Sequence, residues 1–264
     1  MKMDKIVVVR KMSELEFYYG GNHDSGLLNL SHEQQQNSLK RVDAILRESG
    51  KDYEIITREE LSEDVVDSSD LVISAGGDGT IIANAVCNRD TPQLNIRIDE
   101  ISKGNLCYRD FEGALKNTLD GDFDIVEWTR QDVYLDGSFV ARALNETVVE
   151  EKGGLAKMAK YVLDEEYHEN SGSIIATGTG SSGWPSIFGK YERDSKMFKY
   201  KNILRVIGSE SGFMDSLSIK YKNHNGRFVV DGVAYDFPRD SVLEIKVSEN
   251  PLRVVEINKD VGFK

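Results

Sequence analysis

The sequence predicts an α/β N-terminal domain, with a parallel sheet and helices, followed by a β-rich, mainly antiparallel C-terminal domain. Two observations lead to this prediction. Over about the first 120 residues, short β-branched runs alternate with helical periodicity, which is typical of a parallel sheet covered by helices. From Gly121 onward, runs of period two follow one another between Asp-Gly and Asn-Gly turns. We therefore expect domains at 1–121 and 122–264, with roughly the last 15 residues able to pack back on the first.

The N-terminal half begins with the strand pattern DKIVVVR and continues as an alternation of strands and helices. Strands are predicted at 4–10, 53–57, 70–75 and 94–98, and helices at 31–50, near 58–66 and after Thr80. The long helix has a possible capping box of Ser31 with Gln34 and a stop at Gly50. Its apolar face consists of Leu39, Val42, Ile45 and Leu46.

The C-terminal half contains consecutive strands without a helical period. The strand-rich segments cover 132–149, 160–167, 172–177, 216–237, 241–247 and 252–257. Asn-Gly and Asp-Gly dipeptides favour hairpin-type turns, because these residues tolerate a positive φ. They occur at Asp136-Gly137, Asn225-Gly226 and Asp231-Gly232.

Composition and charge exclude several classes of function. Of the 264 residues, 39 % are hydrophobic and 30 % charged, as in globular proteins. The formal charge of −12 disfavours binding to nucleic acid or to an anionic membrane, because both require clustered Lys and Arg. No apolar run approaches the roughly 20 residues of a membrane span.

Cysteine usage and the first residues of the chain bear on metal binding and location. Cys87, Cys107 and four scattered histidines have no metal-binding spacing, so no metal site is expected among them. Two cysteines without a CxxC pattern suit a reducing compartment. The opening MKMDKIVVVR has neither a secretory nor a transit pattern, so we expect a cytoplasmic chain.

The glycine-rich turn AGGDGT, residues 75–80, lies between a buried strand and a helix. Ligands of α/β sheets bind at the carboxyl ends of the strands, and glycines there let backbone N–H groups approach an oxygen-rich ligand. A carboxylate in such an anion-binding place is unusual, so Asp78 is expected to accept a proton or to meet a metal. The alternative is that Asp78 only caps the helix.

Two further segments carry residues that suit a nucleotide. Asn145 and Glu146 are adjacent in an apolar strand pattern, so both can meet one ligand only at a bulge or a strand end. The alternative is an edge strand with a solvated glutamate. The loop TGTGSSGW at 177–184 fits G-x-G-x-x-G but lacks the following acidic residue of a dinucleotide-binding βαβ unit, so it is either a plain loop or a holder of sugar or adenine.

Four motifs in this order resemble the NAD kinase family, and its mitochondrial-type branch most closely. They are GGDGT, the NE pair, TGTGSSGW and VVDG near the C-terminus. The segments RKMSELEFYYG and IDEISKGNLCY extend the likeness over most of the chain. The chain departs from the family at Ser171, where many members carry an acidic residue, and in the loop 96–108, which leaves the phosphoryl donor open.

The resemblance implies a kinase that transfers the γ-phosphoryl of ATP, or of another donor, to the 2′-hydroxyl of the adenosine ribose of NAD(H), giving NADP(H). Its site would lie in a crevice between the two domains, and Mg²⁺ would accompany ATP. Asp78 matches the catalytic aspartate that meets the 2′-hydroxyl. The implied nucleotide- and phosphate-binding residues are Gly76, Gly77, Gly79, Thr80, Asn145, Glu146, Thr177, Thr179, Ser182, Gly183 and Trp184.

Other interpretations and partners remain open from sequence. Lipid kinases of the diacylglycerol and sphingosine type share the GGDGT turn, and a non-catalytic dinucleotide sensor would keep the pocket without the reaction. Arg97 and Lys103 flank a predicted strand end and are candidates for phosphate contacts, although a solvated role suits each as well. The resemblance also implies small-molecule nucleotide partners and a homodimer or higher homo-oligomer, with no nucleic acid or membrane partner.

Overall fold

The structure is a computed structural model that describes residues 3–20, 25–101, 104–152, 157–180, 204–207 and 213–257. Two compact units divide the chain. One unit holds the residues up to Val126 together with the segment from Leu252 onward, and the other holds Glu127–Pro251. We call them unit 1 and unit 2. No helix among the described residues is long and apolar enough to cross a membrane.

Unit 1 is a helix-covered sheet with the strand order β2-β1-β3-β4-β18-β5. Its strands are β1 (Lys5–Arg10), β2 (Asp52–Thr57), β3 (Leu71–Ala75), β4 (Gln93–Ile96), β5 (Phe123–Trp128) and β18 (Leu252–Ile257). Its helices are α1 (Glu14–Tyr19), α2 (Gly26–Ser49), α3 (Glu63–Asp67), α4 (Asp78–Cys87) and α5 (Phe111–Asp120), with a 3₁₀ turn at Arg58–Glu60. The pairs of β1 with β2, β1 with β3, and β4 with β3 and β18 are parallel.

Alternation along β1 explains why this sheet is covered on both faces. Ile6 and Val8 join a core with the apolar side of α2, whereas Val7 and Val9 pack with Val66 of α3. Since every residue of β3 is also buried, these strands have the continuous apolar pattern of a parallel sheet. The α/β prediction for this half is therefore confirmed.

The long helix differs from its sequence prediction at one end only. The N-cap is Ser25 rather than Ser31, because nothing in the following residues interrupts the helix. Ser31 lies inside it and accepts a hydrogen bond from Gln35 Nε2 (3.3 Å). The predicted capping box is therefore wrong, whereas Gly50, with φ of +67°, ends the helix as predicted.

Unit 2 consists of two antiparallel six-stranded sheets, with orders β10-β9-β14-β17-β6-β7 and β13-β12-β11-β8-β15-β16. The strands of the first are β6 (Gln131–Leu135), β7 (Ser138–Ala143), β9 (Ala159–Leu163), β10 (Glu166–Asn170), β14 (Ser216–Tyr221) and β17 (Val242–Val247). Those of the second are β8 (Glu146–Glu151), β11 (Ser173–Ala176), β12 (Leu204–Ile207), β13 (Phe213–Met214), β15 (Gly226–Val230) and β16 (Val233–Phe237). Side chains of both sheets, among them Tyr161, Phe228 and Ile245, form one core. The β-rich prediction is confirmed.

Asp-Gly turn chemistry accounts for two of the strand pairs in unit 2. Asp136-Gly137 joins β6 to β7 and Asp231-Gly232 joins β15 to β16, each with positive φ at both residues. Asn225-Gly226 is not a hairpin, since β14 and β15 belong to different sheets. Instead Gly226 lies against Tyr221, where a Cβ would come within 2.2 Å of the ring.

Candidate active site

A cavity of about 810 Å³ in unit 1 lies where three neighbouring parallel strands end. Lys11 follows β1 and Arg58 follows β2, while the glycine-rich turn after β3 supplies Gly77, Asp78, Gly79 and Thr80. Side chains from α1 and α2 close the apolar part of the wall. The cavity is therefore at the carboxyl edge of the sheet, where α/β proteins bind their ligands.

Asp78 is the first residue of α4, and a loop of unit 1 holds its carboxylate. Oδ1 accepts hydrogen bonds from the backbone N–H of Asn105 (3.0 Å) and of Leu106 (3.1 Å), and Oδ2 has a longer contact of 3.2 Å with the N–H of Asn105. These backbone donors fix the orientation of the carboxylate at the cavity wall. A carboxylate that serves only as a helix cap would instead bond to N–H groups of its own helix.

Close backbone approach explains two glycines around Asp78. A Cβ on Gly76 would lie 2.4 Å from Thr80 Oγ1, and a Cβ on Gly104 would lie 2.6 Å from Cys107 Sγ. The turn can therefore adopt this conformation only without a side chain at 76, and the loop only without one at 104. Thr80 Oγ1 is buried and has no hydrogen-bond partner among the described residues.

Cys107 belongs to the loop that holds Asp78, and its thiol is unreactive. Burial raises the pKa of its thiol to about 12, with the Asp78 carboxylate as the next cause. The thiol therefore stays protonated at neutral pH, and a protonated, 3 % exposed cysteine is a packing group rather than a nucleophile.

A second cluster in unit 2 brings together the NE pair and Asp231. Asn145 lies in the bend between β7 and β8, and Glu146 is the first residue of β8. The carboxylate of Asp231 accepts the backbone N–H groups of Leu144 (2.6 Å), Asn145 (2.9 Å) and Glu146 (3.0 Å). The two side chains therefore occur at a strand end, as sequence reasoning required for a shared ligand.

The segment 177–180 supports the same bend from the other side. Thr177 and Thr179 both donate to the carbonyl oxygen of Leu144, and their hydroxyls lie 2.8 Å apart. A Cβ on Gly180 would come within 2.1 Å of the carbonyl oxygen of Asn145. The two threonines thus position the bend through their hydroxyls, and both are buried.

Glu146 and Asn145 each keep an unused polar atom. Glu146 Oε2 and Asn145 Oδ1 are buried and have no hydrogen-bond partner among the described residues. Burial first, and the charge of the neighbouring Asp231 second, raise the pKa of Glu146 to about 7. Glu146 also lines a small cavity of about 90 Å³ with Val148, Glu150, Val229 and Gly232. Unsatisfied buried groups of this kind are expected where a polar ligand supplies the partner.

Comparison with known proteins agrees with these motifs. The chain is 28 % identical over 218 residues to NAD kinase 2, mitochondrial, of Rattus norvegicus, covering 62 % of this chain and 51 % of that protein. It is 29 % identical over 214 residues to NAD kinase of Methanosarcina acetivorans, covering 72 % of this chain and 74 % of that protein. No protein-family model matches the chain.

A solved structure extends the likeness to the fold. The crystal structure of an NAD kinase from Archaeoglobus fulgidus in complex with ATP matches with a TM-score of 0.71 and 21 % identity, covering 97 % of this chain and 94 % of that one. In sequence and in fold the chain is similar to NAD kinases. It spans about half the length of the mitochondrial-type relatives that it matches.

The residues that the NAD kinase resemblance singled out fall into two groups. Asp78 lines the unit 1 cavity with Gly77, Gly79 and Thr80, and Gly76 supports the turn. Asn145, Glu146, Thr177 and Thr179 form the unit 2 cluster. Ser182, Gly183, Trp184 and Lys103 lie outside the described residues. Arg97 borders another cavity and donates to the carbonyl oxygens of Asp99 (2.8 Å) and Glu100.

Sequence reasoning missed three features of this candidate site. Arg58 sits in the unit 1 cavity and Asp231 anchors the NE bend, yet each is far in sequence from the motif that it serves. The VVDG motif contained the signal for Asp231, because a hairpin aspartate with φ of +45° can turn its carboxylate toward nearby N–H groups. The backbone donors of Asn105 and Leu106 carry no side-chain signal at all.

Proposed function

We propose that this chain is an NAD kinase, which transfers the γ-phosphoryl of ATP to the 2′-hydroxyl of the adenosine ribose of NAD(H) and gives NADP(H). The observation that carries the proposal is the position of Asp78, a carboxylate oriented by two backbone N–H groups at the N-terminus of α4 on a large cavity. The Archaeoglobus relative with ATP supports ATP as the donor.

In this reaction Asp78 accepts the proton of the 2′-hydroxyl as its oxygen bonds to the γ-phosphorus and the bond to the leaving ADP oxygen breaks. In this phosphoryl transfer the protein forms no covalent bond to the substrates. It positions the reactants and neutralises the charge of the phosphates. The N-terminus of α4 supplies backbone N–H groups and a positive dipole end to the phosphates. Asn145 and Glu146 would contact the nucleotide's ribose and adenine.

Magnesium belongs to the proposal as the partner of ATP. Among the described residues, no three His, Cys, Asp or Glu side chains converge to hold a metal ion. The ion is proposed to arrive on the phosphate oxygens of ATP, because Mg²⁺ keeps several waters and takes only one or two carboxylates. Asp78 and Glu14 are the carboxylates on the cavity wall and would face the ion. The ion would neutralise charge on the phosphates.

The proposal is tested by incubating the purified chain with Mg·ATP and NAD and coupling any product to an NADP-specific dehydrogenase. The wild type is expected to make NADP. Asp78→Asn is expected to lose about 10²- to 10⁴-fold in rate, the range typical of general acid–base groups. The matched control is Asp110→Asn, because Asp110 caps α5 through the N–H of Gly113 (3.0 Å) and asparagine caps equally well.

Three outcomes separate the candidate functions. Full activity in Asp78→Asn would remove Asp78 from the mechanism. Phosphorylation of diacylglycerol or sphingosine in mixed micelles, without any NADP, would favour the lipid kinase. Binding of NAD without turnover would favour the sensor.

Two further properties are proposed on narrower grounds. A cytoplasmic location is supported by the two free cysteines, which suit a reducing compartment. A homodimer or higher homo-oligomer rests on the family resemblance, and sedimentation of the purified chain would test it.

A further inference from the structure

We propose that Arg58 is a phosphate-binding residue for the triphosphate chain of the phosphoryl donor. The inference rests on the proposed kinase function and names a contact in its donor site. The residue lies outside every motif that carries the family resemblance, and its position at the end of β2 brings it to the same cavity as Asp78.

Geometry places the Arg58 guanidinium beside the start of α4. A Cβ on Gly79 would lie 3.7 Å from Arg58 Nη1, so the cation lies within contact distance of the second residue of the helix. The first backbone N–H groups of a helix lack partners within the helix and favour an incoming anion, although in α4 the N–H of Thr80 already bonds to the carbonyl oxygen of Gly77 (2.9 Å). The guanidinium and these donors therefore face the same volume.

Arg58 is also available for a ligand. Its side chain is exposed, and no residue in the described part of the chain forms an ion pair or a side-chain hydrogen bond with the guanidinium. Most other arginines in the described part are engaged, as Arg142 is with Asp132 and Arg227 with Glu150. An exposed arginine without an ion pair keeps its planar set of donors for a phosphate.

A buried hydroxyl at the same place is a second sign of a ligand. Thr80 is one of the residues that line the cavity and is 1 % exposed, and its buried Oγ1 lacks a partner among the described residues. A phosphate oxygen would satisfy it, whereas an apolar ligand would leave it unpaired. The hydroxyl and Arg58 therefore favour the same class of ligand.

The negative charge around the cavity opposes an anionic ligand, so a phosphate-binding site there needs a cation. The chain carries a formal charge of −12, and Asp78 and Glu14 add two carboxylates to the cavity wall. A triphosphate that approaches them meets repulsion unless local cations offset it. Arg58 and Lys11, at the ends of two adjacent strands, are the cations on this wall among the described residues.

The test compares Arg58→Ala and Arg58→Lys with the wild type in the coupled assay, and measures binding of sodium tripolyphosphate by calorimetry. Arg58→Ala is expected to raise the KM for ATP about 10- to 100-fold, since charge-assisted hydrogen bonds are lost, while the KM for NAD changes less than about twofold. Arg58→Lys should recover part of the loss, because it keeps the charge without the planar donors. The control Arg47→Ala removes an arginine whose side chain is 75 % exposed, at the end of α2.

The outcomes distinguish this inference from the kinase proposal. An active wild type with an unchanged KM for ATP in Arg58→Ala would overturn the role of Arg58 and leave the kinase intact. A wild type that makes no NADP would overturn the kinase. In that case, weaker tripolyphosphate binding in Arg58→Ala than in Arg47→Ala would still support Arg58 as a phosphate ligand, and equal binding would refute it.

Discussion

Glu146 and Asp231 hold two buried carboxyl groups next to one another in unit 2. The three backbone N–H groups that Asp231 accepts only partly offset its burial, which still raises its pKa, whereas Glu146 Oε2 has no such donor among the described residues. Burial first, and the charge of Asp231 second, raise the pKa of Glu146 from 4.5 to about 7. Around neutral pH this group therefore changes between hydrogen-bond donor and acceptor.

This shift predicts a pH-dependent effect of Glu146→Gln on stability. Because the folded-state pKa is raised, the folded chain binds the proton more tightly, and stability falls as pH rises from about 4.5 through 7. Glutamine cannot ionise, so the variant escapes this loss. We expect its melting temperature, relative to the wild type, to rise by roughly 2–8 °C between pH 5 and pH 8.

Thermal unfolding of the ligand-free chain at both pH values measures the effect of Glu146→Gln. Glu249→Gln is the control, since Glu249 is an exposed glutamate of the same unit. An offset from the wild type that is identical at pH 5 and pH 8 would show that Glu146 does not titrate in this range.

The turn at 177–180 and the bend at 144–146 are held as one piece. The hydroxyls of Thr177 and Thr179 donate hydrogen bonds to the carbonyl groups of Leu144 and Asn145. Gly180 packs closely against the carbonyl oxygen of Asn145. The nucleotide-binding role proposed for Asn145 depends on this support, because a side chain on an unsupported bend would not be held in place.

Gly180→Ala tests the link between these two segments. A methyl group 2.1 Å from the Asn145 carbonyl oxygen must push the turn away, at a cost of about 1–3 kcal/mol in stability. We expect the KM for NAD to rise about tenfold or more while the KM for ATP changes little. Gly26→Ala is the control, because no atom lies within 4 Å of a Cβ there. Wild-type kinetics in Gly180→Ala would show that the contact is irrelevant to binding.

Local patterns predicted most elements because local chemistry fixes them. The structure confirms three such predictions: the apolar period of α2, the end of that helix at Gly50, and the turns at Asp136-Gly137 and Asp231-Gly232. The hairpin of β9 and β10 was missed, since its turn uses Asp164 and Glu165 at positive φ without a glycine. Residues that act through their backbone cannot be predicted from side-chain patterns. Asn105, whose N–H donates to the carboxylate of Asp78, is an example.

The last strand ties the C-terminal segment to unit 1. Val254 of β18 pairs with Gln93 of β4, and Val255 joins the core beside α2 and α5. This arrangement depends on contacts between residues far apart in the sequence, as in the bond from Ile257 N–H to Tyr108 Oη (2.9 Å), which joins residues 149 positions apart. A local pattern shows a strand there but not its partners.

Val255→Asp tests this returning strand. The new carboxylate would be buried without a partner in the core of unit 1, which costs about 3–5 kcal/mol. We expect a strong loss of soluble yield and of melting temperature. Val233→Asp is the control, because Val233 is 56 % exposed on β16. Equal behaviour of the two variants would show that β18 does not contribute to the core.

The net charge of the chain disfavours anionic ligands, whereas the cations of its cavity favour them. An excess of carboxylates disfavours polyanions in general, while Arg58, Lys11 and the N-terminus of α4 together form the place where we propose that phosphate binds. Composition predicts that nucleic acid is disfavoured as a partner, but it could not locate this place. Its cations converge only when β1 and β2 lie side by side.

The position of the transferred phosphoryl group tests the central claim most directly. After reaction of the wild type with Mg·ATP and NAD, ³¹P NMR of the isolated dinucleotide is expected to show one new phosphate monoester on the 2′-oxygen of the adenosine ribose, with ADP formed in equal amount. Asp78→Asn should give almost none. Release of ADP without a new ribose phosphate, or a phosphate on any other oxygen, would contradict the account.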